Sequence, residues 1–334
     1  MTLSEFLNQH LVRYVDLIPC TTAFIDTRTP GSKEKENFTI IGPGVSENPD
    51  QHVHIKRPHG FNIGGARQPP NCVNSQHSHD TAEVFVVQSG TWAFTTGEHG
   101  HDGCVVLGPG DTISIPTQAF RGFENIGEDE GFLFAVLGGD DPGRVTWAPY
   151  VFEQAKNYGL VLLENGALVD TAAGESLPND VSPMPPTTLE IVERLQTLND
   201  QQLEACVVRH CDVGNAPRVQ KFPGEITESH ILGTASNGSA QPPLGWQHDF
   251  QLHHLRLEAG ANTGLYSQAQ EEVFMMHKGQ LLIEVGEHVV TLHEGDVFTA
   301  PVSEPRQLSN ALTEVAEVFV VHRGERPQFS TIET

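Results

Sequence analysis

Cysteine is scarce in this sequence, and its arrangement excludes two classes of small fold. The 334 residues contain five cysteines, which are Cys20, Cys72, Cys104, Cys206 and Cys211. Their number is odd, they are scattered along the chain, and no C-x-x-C pair occurs, so we expect neither a disulfide scaffold nor a zinc ribbon. A reducing compartment suits such a chain, and the expected location is the cytoplasm.

Basic side chains, long apolar runs and nucleophile motifs are also few. There are 19 Lys and Arg against 43 Asp and Glu, which gives a net charge of -24. Such a surface repels nucleic-acid phosphates and anionic lipid heads, so neither nucleic acid nor membrane is expected as a partner. No apolar run approaches the roughly 20 residues of a membrane-spanning helix. No G-x-S-x-G, P-loop or G-x-G-x-x-G motif occurs, which disfavours serine hydrolases and nucleotide binding.

Glycine and proline, in contrast, are abundant. The chain has 32 glycines and 22 prolines, which indicates many turns and few long helices. The stretch EVFVVQSGTWAFTTG has β-branched and aromatic runs broken at Ser-Gly, a pattern typical of a β-hairpin. The stretch VVLGPGDTISIP similarly indicates two strands joined by a turn. A β-rich protein is therefore expected.

An internal repeat spans much of the chain. Residues 59–79 align with residues 248–268 at an offset of 189, and the alignment continues through Glu83 and Glu272 to Gly90 and Gly279. After the turn GEHGHDG, which is four residues longer than its counterpart, the offset becomes 185. One insertion at a glycine-rich turn is typical of a duplicated β-domain.

The repeat predicts an all-β fold of two tandem barrels or jelly rolls. We place an N-terminal domain with an N-terminal extension at residues 1–145 and a C-terminal domain at residues 216–334. Residues 146–215 have a different texture, rich in Pro, Asn and Ser over part of their length, and we interpret them as a partly helical linker.

Three short helices are expected outside the strands. Thr2 and Glu5 have the spacing of a capping box at the start of the chain. Residues 147–159 can form a helix with aromatic side chains on one side. Thr187, followed by Glu190, has the pattern of a helix N-terminus within the linker.

The stretch QHSHDTAE carries the strongest chemical signal. His77 and His79 are two residues apart, so a strand points both side chains to the same face. Glu83 follows after a short turn and can reach the same interior from the next strand. Two imidazoles and one carboxylate form the 2-His-1-carboxylate arrangement, which leaves coordination positions open for non-haem Fe(II) oxygen chemistry. The pattern therefore predicts a metal site at these three residues, and an empty polar pocket is the alternative.

These residues resemble the first motif of the cupin superfamily, G-x5-H-x-H-x(3,4)-E-x6-G. His77, His79, Glu83 and Gly90 match it, whereas Asn71 stands in place of the leading glycine. Because the chain contains the unit twice, it is similar to a bicupin.

The second cupin motif, G-x5-P-x-G-x2-H-x3-N, is matched less completely. Gly110, Pro116 and Asn125 have the right spacing, but Gln118 replaces the second glycine and Arg121 replaces the metal-binding histidine. Arginine has no acceptor lone pair and keeps its proton, so it cannot be a metal ligand.

The resemblance implies a fold and a class of reaction. Bicupins consist of two double-stranded β-helix barrels and often form dimers, so a homodimer is expected. The nearest functions are those of quercetinase-like and ring-cleaving dioxygenases. The resemblance thus implies a dioxygenase that acts on a small aromatic or enol-type substrate in the N-terminal barrel. His77, His79 and Glu83 would hold Fe(II), with Mn(II) or Ni(II) as alternatives.

Arg121 has two interpretations, because Arg306 occupies the same place in the second copy. In the first, Glu83–Arg121 and Glu272–Arg306 are equivalent structural ion pairs. In the second, Arg121 is catalytic and binds an anionic substrate or stabilises developing negative charge. We expect Phe85, Trp92 and Phe123 to line the substrate pocket with Arg121.

The second copy lacks both histidines of the first motif. Tyr266 and Gln268 replace them, while Glu272 and Arg306 remain. We therefore expect no metal in the C-terminal cupin, although these four residues can line a second ligand pocket. Elsewhere in this copy, the adjacent His253 and His254 should point to opposite faces of a strand, which makes them a poor ligand pair.

Two further classes of function are compatible with the chain. One is a metal-free bicupin that binds a small ligand, and the other is a metal-independent isomerase or epimerase whose polar cavity residues act as acid and base.

Overall fold

The computed structural model describes residues 1–219, 222, 225–235, 240–326 and 331–332. Strands dominate these residues, which confirms the all-β fold of two tandem cupin barrels. No helix among the described residues has both the length and the apolar character that crossing a membrane requires.

The chain divides into two compact units, each built around one barrel. The first barrel comprises Ile18–Lys56 and Asn62–Val207, and the second comprises Met1–Leu17, Arg57–Phe61 and Val208–Thr334. The N-terminal segment thus belongs to the same unit as the second barrel.

The strands are short and numerous, as the many glycine and proline turns predict. In chain order they are β1 (Leu11–Val12), β2 (Glu36–Ile41), β3 (Val53–Ile55), β4 (Phe61–Gln68), β5 (Val73–His79), β6 (Glu83–Ser89), β7 (Trp92–Thr96), β8 (Gly103–Leu107), β9 (Thr112–Ile115), β10 (Arg121–Asn125), β11 (Gly131–Gly138), β12 (Val145–Trp147), β13 (Leu160–Leu162), β14 (Leu168–Asp170), β15 (Val207–Val208), β16 (Ile226–Leu232), β17 (Phe250–Leu257), β18 (Tyr266–Ser267), β19 (Glu272–Lys278), β20 (Gln280–Val285), β21 (His288–His293), β22 (Val297–Ala300), β23 (Arg306–Ser309), β24 (Ala316–Arg323) and β25 (Thr331–Ile332).

Helices are few and short. The α-helices are α1 (Leu3–Gln9), α2 (Pro149–Asn157), α3 (Leu189–Val192) and α4 (Asp200–Glu204), and 3₁₀ turns occur at Tyr14–Asp16, Thr171–Ala173 and His210–Asn215.

Each barrel consists of two sheets. In the first barrel one sheet has the order β12-β5-β10-β7-β8, and the other contains β9-β6-β11-β4-β2-β3. In the second barrel the orders are β1-β22-β19-β24-β17-β16 and β21-β20-β23-β18-β25. Strands distant in sequence are neighbours in these sheets, as a jelly-roll topology requires.

The strand register agrees with the internal repeat. Glu83 pairs with Leu137 on β11, and Glu272 pairs with His322 on β24. The two partners, Leu137 and His322, are separated by the repeat offset of 185 residues. The two copies therefore have equivalent positions strand by strand.

Aromatic side chains fill the interior of the first barrel. The rings of Phe85 and Phe94 have centroids 5.2 Å apart, and Phe123 contacts both. Burying such rings is among the largest favourable contributions of single side chains to folding. In the second barrel, aliphatic side chains with Phe274 and Phe298 form the corresponding core.

The backbone conformation at position 90 explains why the first cupin motif ends in glycine. Gly90 has φ of 87°, and a Cβ atom there would lie 2.8 Å from the Cα of Gly131. Gly279, its counterpart in the second barrel, has φ of 79°. Side chains are disfavoured at such angles, so the hairpin turn requires glycine in both copies.

The helix predictions are confirmed in part. Thr2 and Glu5 form the expected capping box on α1. Residues 149–157 are helical, but Trp147 belongs to strand β12 rather than to that helix. In the linker, Thr188 rather than Thr187 caps α3, because the hydroxyl of Thr187 donates to the carbonyl oxygen of Trp147 at 2.6 Å.

Candidate metal centre

The two histidines of the first motif project from the same strand. His77 and His79 lie on β5, and their ring centroids are 4.9 Å apart. Glu83 begins β6 in the other sheet of the first barrel. One potential ligand atom from each of the three residues lies within 4.8 Å of the other two. The structure thus brings together the three residues of the sequence-based metal hypothesis.

His77 is held in an orientation that suits a metal ligand. Its Nδ1 lies 2.8 Å from the carbonyl oxygen of Ser75 and donates to it in the neutral tautomer. That tautomer leaves the lone pair on Nε2, and a backbone acceptor at the other ring nitrogen is the usual support of a metal-binding histidine. Burial and the positive charge of Arg121 lower the pKa of His77 to about 3. The ring is therefore neutral at physiological pH.

His79 lies between the other two members of the site. Its Nε2 is 3.5 Å from Oε2 of Glu83, and its Nδ1 is buried without a hydrogen-bond partner among the described residues. Burial lowers the pKa of His79 well below its usual value, and the charge of Arg121 acts in the same direction. A buried ring nitrogen without a partner costs free energy that a bound cation or water can recover.

Arg121 is fully buried and binds the glutamate of the site. Its Nε and Nη2 donate to the same oxygen of Glu83, Oε2, at 3.2 and 2.9 Å. Its Nη1 also donates to the carbonyl oxygen of Ala119 at 3.3 Å. Burial raises the pKa of the Glu83 carboxyl, and the charge of Arg121 opposes this rise.

The second barrel contains the equivalent ion pair. Nε of Arg306 donates to Oε2 of Glu272 at 2.7 Å, and its Nη1 donates to the carbonyl oxygens of Pro301 and Glu304. Tyr266 donates its hydroxyl to the same oxygen of Glu272 at 3.2 Å. Both barrels therefore have the arginine–glutamate pair that the structural interpretation of Arg121 requires.

A cavity in the first barrel borders the three candidate ligands. His77, His79 and Glu83 line it together with further polar side chains such as that of Asn74, and Phe85 and Phe123 lie in its apolar wall. Arg121 and Trp92 are not among its lining residues, although the sequence placed them there. The guanidinium of Arg121 lies behind Glu83, and Trp92 packs behind the ring of Phe123 at 5.8 Å.

Three cavity-lining aromatic residues were missed by the sequence analysis. Phe24, Phe38 and Trp147 all line the cavity. Trp147 pairs with His77 across strands β12 and β5, and their ring centroids are 5.3 Å apart. Its Nε1 donates to Oε1 of Glu47 at 2.6 Å. The available signal was the aromatic run that follows the last repeat strand, which was interpreted as helix.

In the second barrel, Tyr266 and Gln268 occupy the positions that His77 and His79 have in the first barrel. Tyr266 is part of the hydrophobic core, and Gln268 is buried. Tyr266, Glu272 and Arg306 contact one another. A ligand pocket at these four residues stays a prediction.

His253 and His254 do point to opposite faces of β17, yet each joins its own cluster. His253 lies with Glu228 and His322, and His254 lies with His210 and Glu317. The sequence analysis missed both clusters, because their members come from strands and turns far apart in the chain.

The donor set of the first barrel fits a first-row divalent transition metal. Two neutral imidazoles and one carboxylate are the ligands of many such sites, and the buried Nδ1 of His79 lacks a protein partner among the described residues. Arg121 takes no part as a ligand and supplies a positive charge beside the carboxylate.

Comparison with known protein families finds the same domain twice in this chain. The family model of the cupin domain matches residues 66–137 and again residues 253–322. The chain is thus a two-domain cupin protein, and it belongs to the cupin superfamily as a bicupin. No curated protein matches the sequence.

Solved structures with a similar fold include bacterial oxalate decarboxylases. The Lactobacillus farciminis oxalate decarboxylase in its formate complex has 14% sequence identity and a TM-score of 0.56, and the match covers 97% of this chain and 88% of that chain. The Bacillus subtilis oxalate decarboxylase at pH 4.6 has 13% identity and a TM-score of 0.55, and the match covers 96% of this chain and 77% of that chain. At such identity the similarity concerns the fold.

Proposed function

We propose that the first barrel is a non-haem Fe(II) dioxygenase for a small aromatic or enol-type substrate, with His77, His79 and Glu83 as the metal ligands. One observation carries this proposal. Two buried neutral imidazoles and a carboxylate lie together at the edge of a cavity whose wall includes five aromatic side chains. Mn(II) and Ni(II) are the alternative metals.

The ligand set decides the class of chemistry. When bound, Fe(II) would supply the redox chemistry that dioxygen insertion into an aromatic or enol substrate needs, and a three-residue ligand set leaves room for other ligands. The protein's own contribution is orientation. Ser75 fixes the ring of His77 through its carbonyl oxygen, and Arg121 fixes the carboxylate of Glu83.

The cavity walls favour a planar apolar substrate over a small dicarboxylate. Phe85, Phe123 and Trp147 present ring surface to the cavity. The guanidinium of Arg121, beside the site, is already bound to Glu83. Recognition of a dicarboxylate depends on free charged donors, whereas recognition of an aromatic ring depends on apolar area and stacking.

Arg121 acts in this proposal through Glu83. Its side chain is fully buried, and its guanidinium donates hydrogen bonds to the carboxylate of Glu83 and to a backbone carbonyl oxygen. It therefore positions Glu83, and its fixed positive charge stabilises negative charge that develops in the site. The homodimer implied by the resemblance and the cytoplasmic location expected from the cysteine pattern stay predictions.

Oxygen uptake by the reconstituted protein tests the proposal. The full chain is loaded with Fe(II) without oxygen and then mixed with a catechol, a flavonol, a 1,3-diketone or oxalate. We expect oxygen uptake with at least one of the first three and none with oxalate. His79→Ala should lose the uptake and retain the far-UV circular dichroism of the parent. Release of CO₂ from oxalate without oxygen uptake by the other compounds would reject the dioxygenase in favour of a decarboxylase.

A metal-free ligand-binding bicupin is the second candidate. The occurrence of the same buried ion pair in both barrels, Glu83–Arg121 and Glu272–Arg306, favours it, because a shared pair indicates a shared structural role. Metal analysis discriminates the two candidates. A protein that binds less than about a tenth of an equivalent of any first-row metal in the first barrel after supplementation supports the metal-free alternative.

A further inference from the structure

We propose that Glu228, His253 and His322 form a second metal site, in the second barrel, that takes a first-row divalent transition metal ion. None of these residues occupies the positions of Tyr266 and Gln268, which correspond to the histidines of the first cupin motif. The proposal therefore departs from the expectation, drawn from those positions, that the second barrel holds no metal.

The three residues come from neighbouring strands of one sheet. Glu228 lies on β16, His253 on β17 and His322 on β24, and the sheet has the order β24-β17-β16 at this edge. Gln251 pairs with His322, so His253, two residues further along β17, lies on the same face as a diagonal neighbour. One ligand atom from each of the three residues lies within 4.8 Å of the others.

All three side chains are buried and together they hold more lone pairs than protons. Nδ1 of His253 lies 2.7 Å from Oε1 of Glu228, and its Nε2 lies 3.3 Å from the amide oxygen of Gln251. A neutral imidazole has a single N–H and cannot donate to both oxygens. Nδ1 of His322 is buried with no hydrogen-bond partner among the described residues. A cation relieves such an excess of buried acceptors.

Burial disfavours protonation of the two histidines, whereas it raises the pKa of the Glu228 carboxyl to about 7. Burial lowers the pKa of His253 to about 3, and burial with the charge of His253 lowers the pKa of His322 to about 4. Among the described residues, no Lys or Arg forms an ion pair with Glu228. Neutral imidazoles are the form that binds metal, so the cluster needs no proton release from its histidines to accept one.

Comparison of the two copies shows that the ligand-type residues are specific to the second barrel. In the first barrel Thr39 pairs with Gly64, and in the second His230 pairs with His253, so His253 corresponds to Gly64. His322 corresponds to Leu137, because each pairs with the glutamate that is common to both barrels.

Glu228 corresponds in the same register to Asn37. Asn37 pairs with Ala66 in the first barrel, and Glu228 pairs with Leu255 in the second. Asn37, together with Gly64 and Leu137 identified above, lines the cavity of the first barrel. Three cavity-wall positions without charge in one copy are thus a carboxylate and two imidazoles in the other. Hydrogen bonding alone does not require all three uncharged positions to be replaced by residues that can bind a metal, whereas a metal site does.

A Co(II) titration of the full chain tests this site without reference to enzyme activity. The protein used is the His77→Ala/His79→Ala variant, stripped of metal with a chelator, so that the first barrel contributes no site. We expect it to bind about one Co(II), with visible absorption bands of a nitrogen- and oxygen-ligated ion. Adding His253→Gln or His322→Gln should weaken binding at least about tenfold, since each removes one of three ligands. His248→Gln, at another buried histidine of the same unit, is the matched control and should leave binding unchanged.

Two results would overturn the proposal. The first is a folded His77→Ala/His79→Ala protein, with parental circular dichroism, that binds no Co(II). The second is bound Co(II) that His253→Gln and His322→Gln leave in place and that His254→Gln removes, which would assign the ion to His210, His254 and Glu317. Failure of the first-barrel site has a different signature, because wild type and the double variant would then bind equal amounts of Co(II).

Discussion

Arg121 and Glu83 form a buried ion pair in which both nitrogens of one edge of the guanidinium donate to a single carboxylate oxygen. The histidine of the second cupin motif would occupy the position of Arg121. The arginine therefore supplies one positive charge to the carboxylate of the proposed metal site. If a metal binds there, it would also attract Glu83, so the loss of the arginine should be less costly when metal is present.

Removal of the guanidinium tests that dependence. Arg121→Met should lower the free energy of unfolding of the metal-free protein by about 3–5 kcal/mol, because it leaves a buried carboxylate unpaired. Added Fe(II) or Mn(II) should restore part of this loss, since the metal offers Glu83 another positive charge. Urea unfolding with and without metal gives both values. Arg306→Met is the control, and metal should stabilise it no more than it stabilises wild type. Equal metal effects in the two variants would contradict the account.

The strand that carries His77 depends on another buried ion pair. Lys35 donates to Asp26 and, at 2.9 Å, to the side-chain oxygen of Asn74, while Asp26 accepts from the backbone N–H of Ser75 at 2.9 Å. Lys35→Met should destabilise the protein by about 3–5 kcal/mol in denaturant unfolding. Adding Asp26→Asn removes the unpaired charge and keeps an acceptor for Ser75, so the double variant should regain most of the loss. A double variant no more stable than Lys35→Met would argue against a charge effect.

Glu47 gives the fold a specific pH dependence. Burial raises the pKa of its carboxyl from 4.5 to about 8, even though Trp147 and the backbone N–H of Ile25 donate to it. The folded state therefore prefers the protonated form, and its stabilising effect is complete below pH 4.5 and declines as the pH rises to about 8. The decline is at most about 1.4 kcal/mol per pH unit.

Unfolding experiments between pH 5 and pH 9 check this dependence. In Glu47→Gln the side chain cannot ionise, so the difference in stability between variant and wild type should shift in favour of the variant as the pH increases. A difference that is constant over this range would show that Glu47 ionises in the folded protein as it does in the unfolded chain.

The cavity wall predicts an effect on substrate affinity without an effect on metal. Phe123→Leu removes ring surface from the cavity and should raise KM for an aromatic substrate about tenfold, with metal content unchanged. Trp92→Phe alters a side chain that packs behind Phe123, so it should lower stability and leave KM nearly unchanged. Steady-state kinetics and thermal unfolding of the two variants separate these roles. An increase in KM for Trp92→Phe and none for Phe123→Leu would reverse the assignment of the wall.

The sequence predicted the parts of the site that depend on local periodicity. Alternation along one strand is enough to place His77 and His79 side by side, and the repeat is enough to suggest that both Glu83 and Glu272 have arginine partners. The other parts of the site depend on which strands the barrel topology makes neighbours. Trp147 reaches the cavity because β12 pairs with β5. Residue spacing along the chain does not predict such a pairing between distant segments.

The cluster in the second barrel shows the same limit more strongly. Glu228 and His322 are nearly a hundred residues apart in the chain, and they meet because β16, β17 and β24 are adjacent in one sheet. A signal was nevertheless present in the repeat. Ligand-type residues replace Gly64 and Leu137 at aligned positions in the second copy. The second copy lacks the two histidines of the first motif, and it has gained His253 and His322 at other positions of the repeat.

The metal content of the first barrel is the most direct test of the central claim. Wild type, His77→Ala/His79→Ala and the control His101→Ala, which changes an exposed histidine of the same barrel, are loaded with Fe(II), freed of unbound metal and measured by elemental analysis. The double variant should contain about one equivalent less metal than wild type, and His101→Ala should equal wild type. Equal metal content in wild type and in a folded double variant would contradict a metal site at His77, His79 and Glu83.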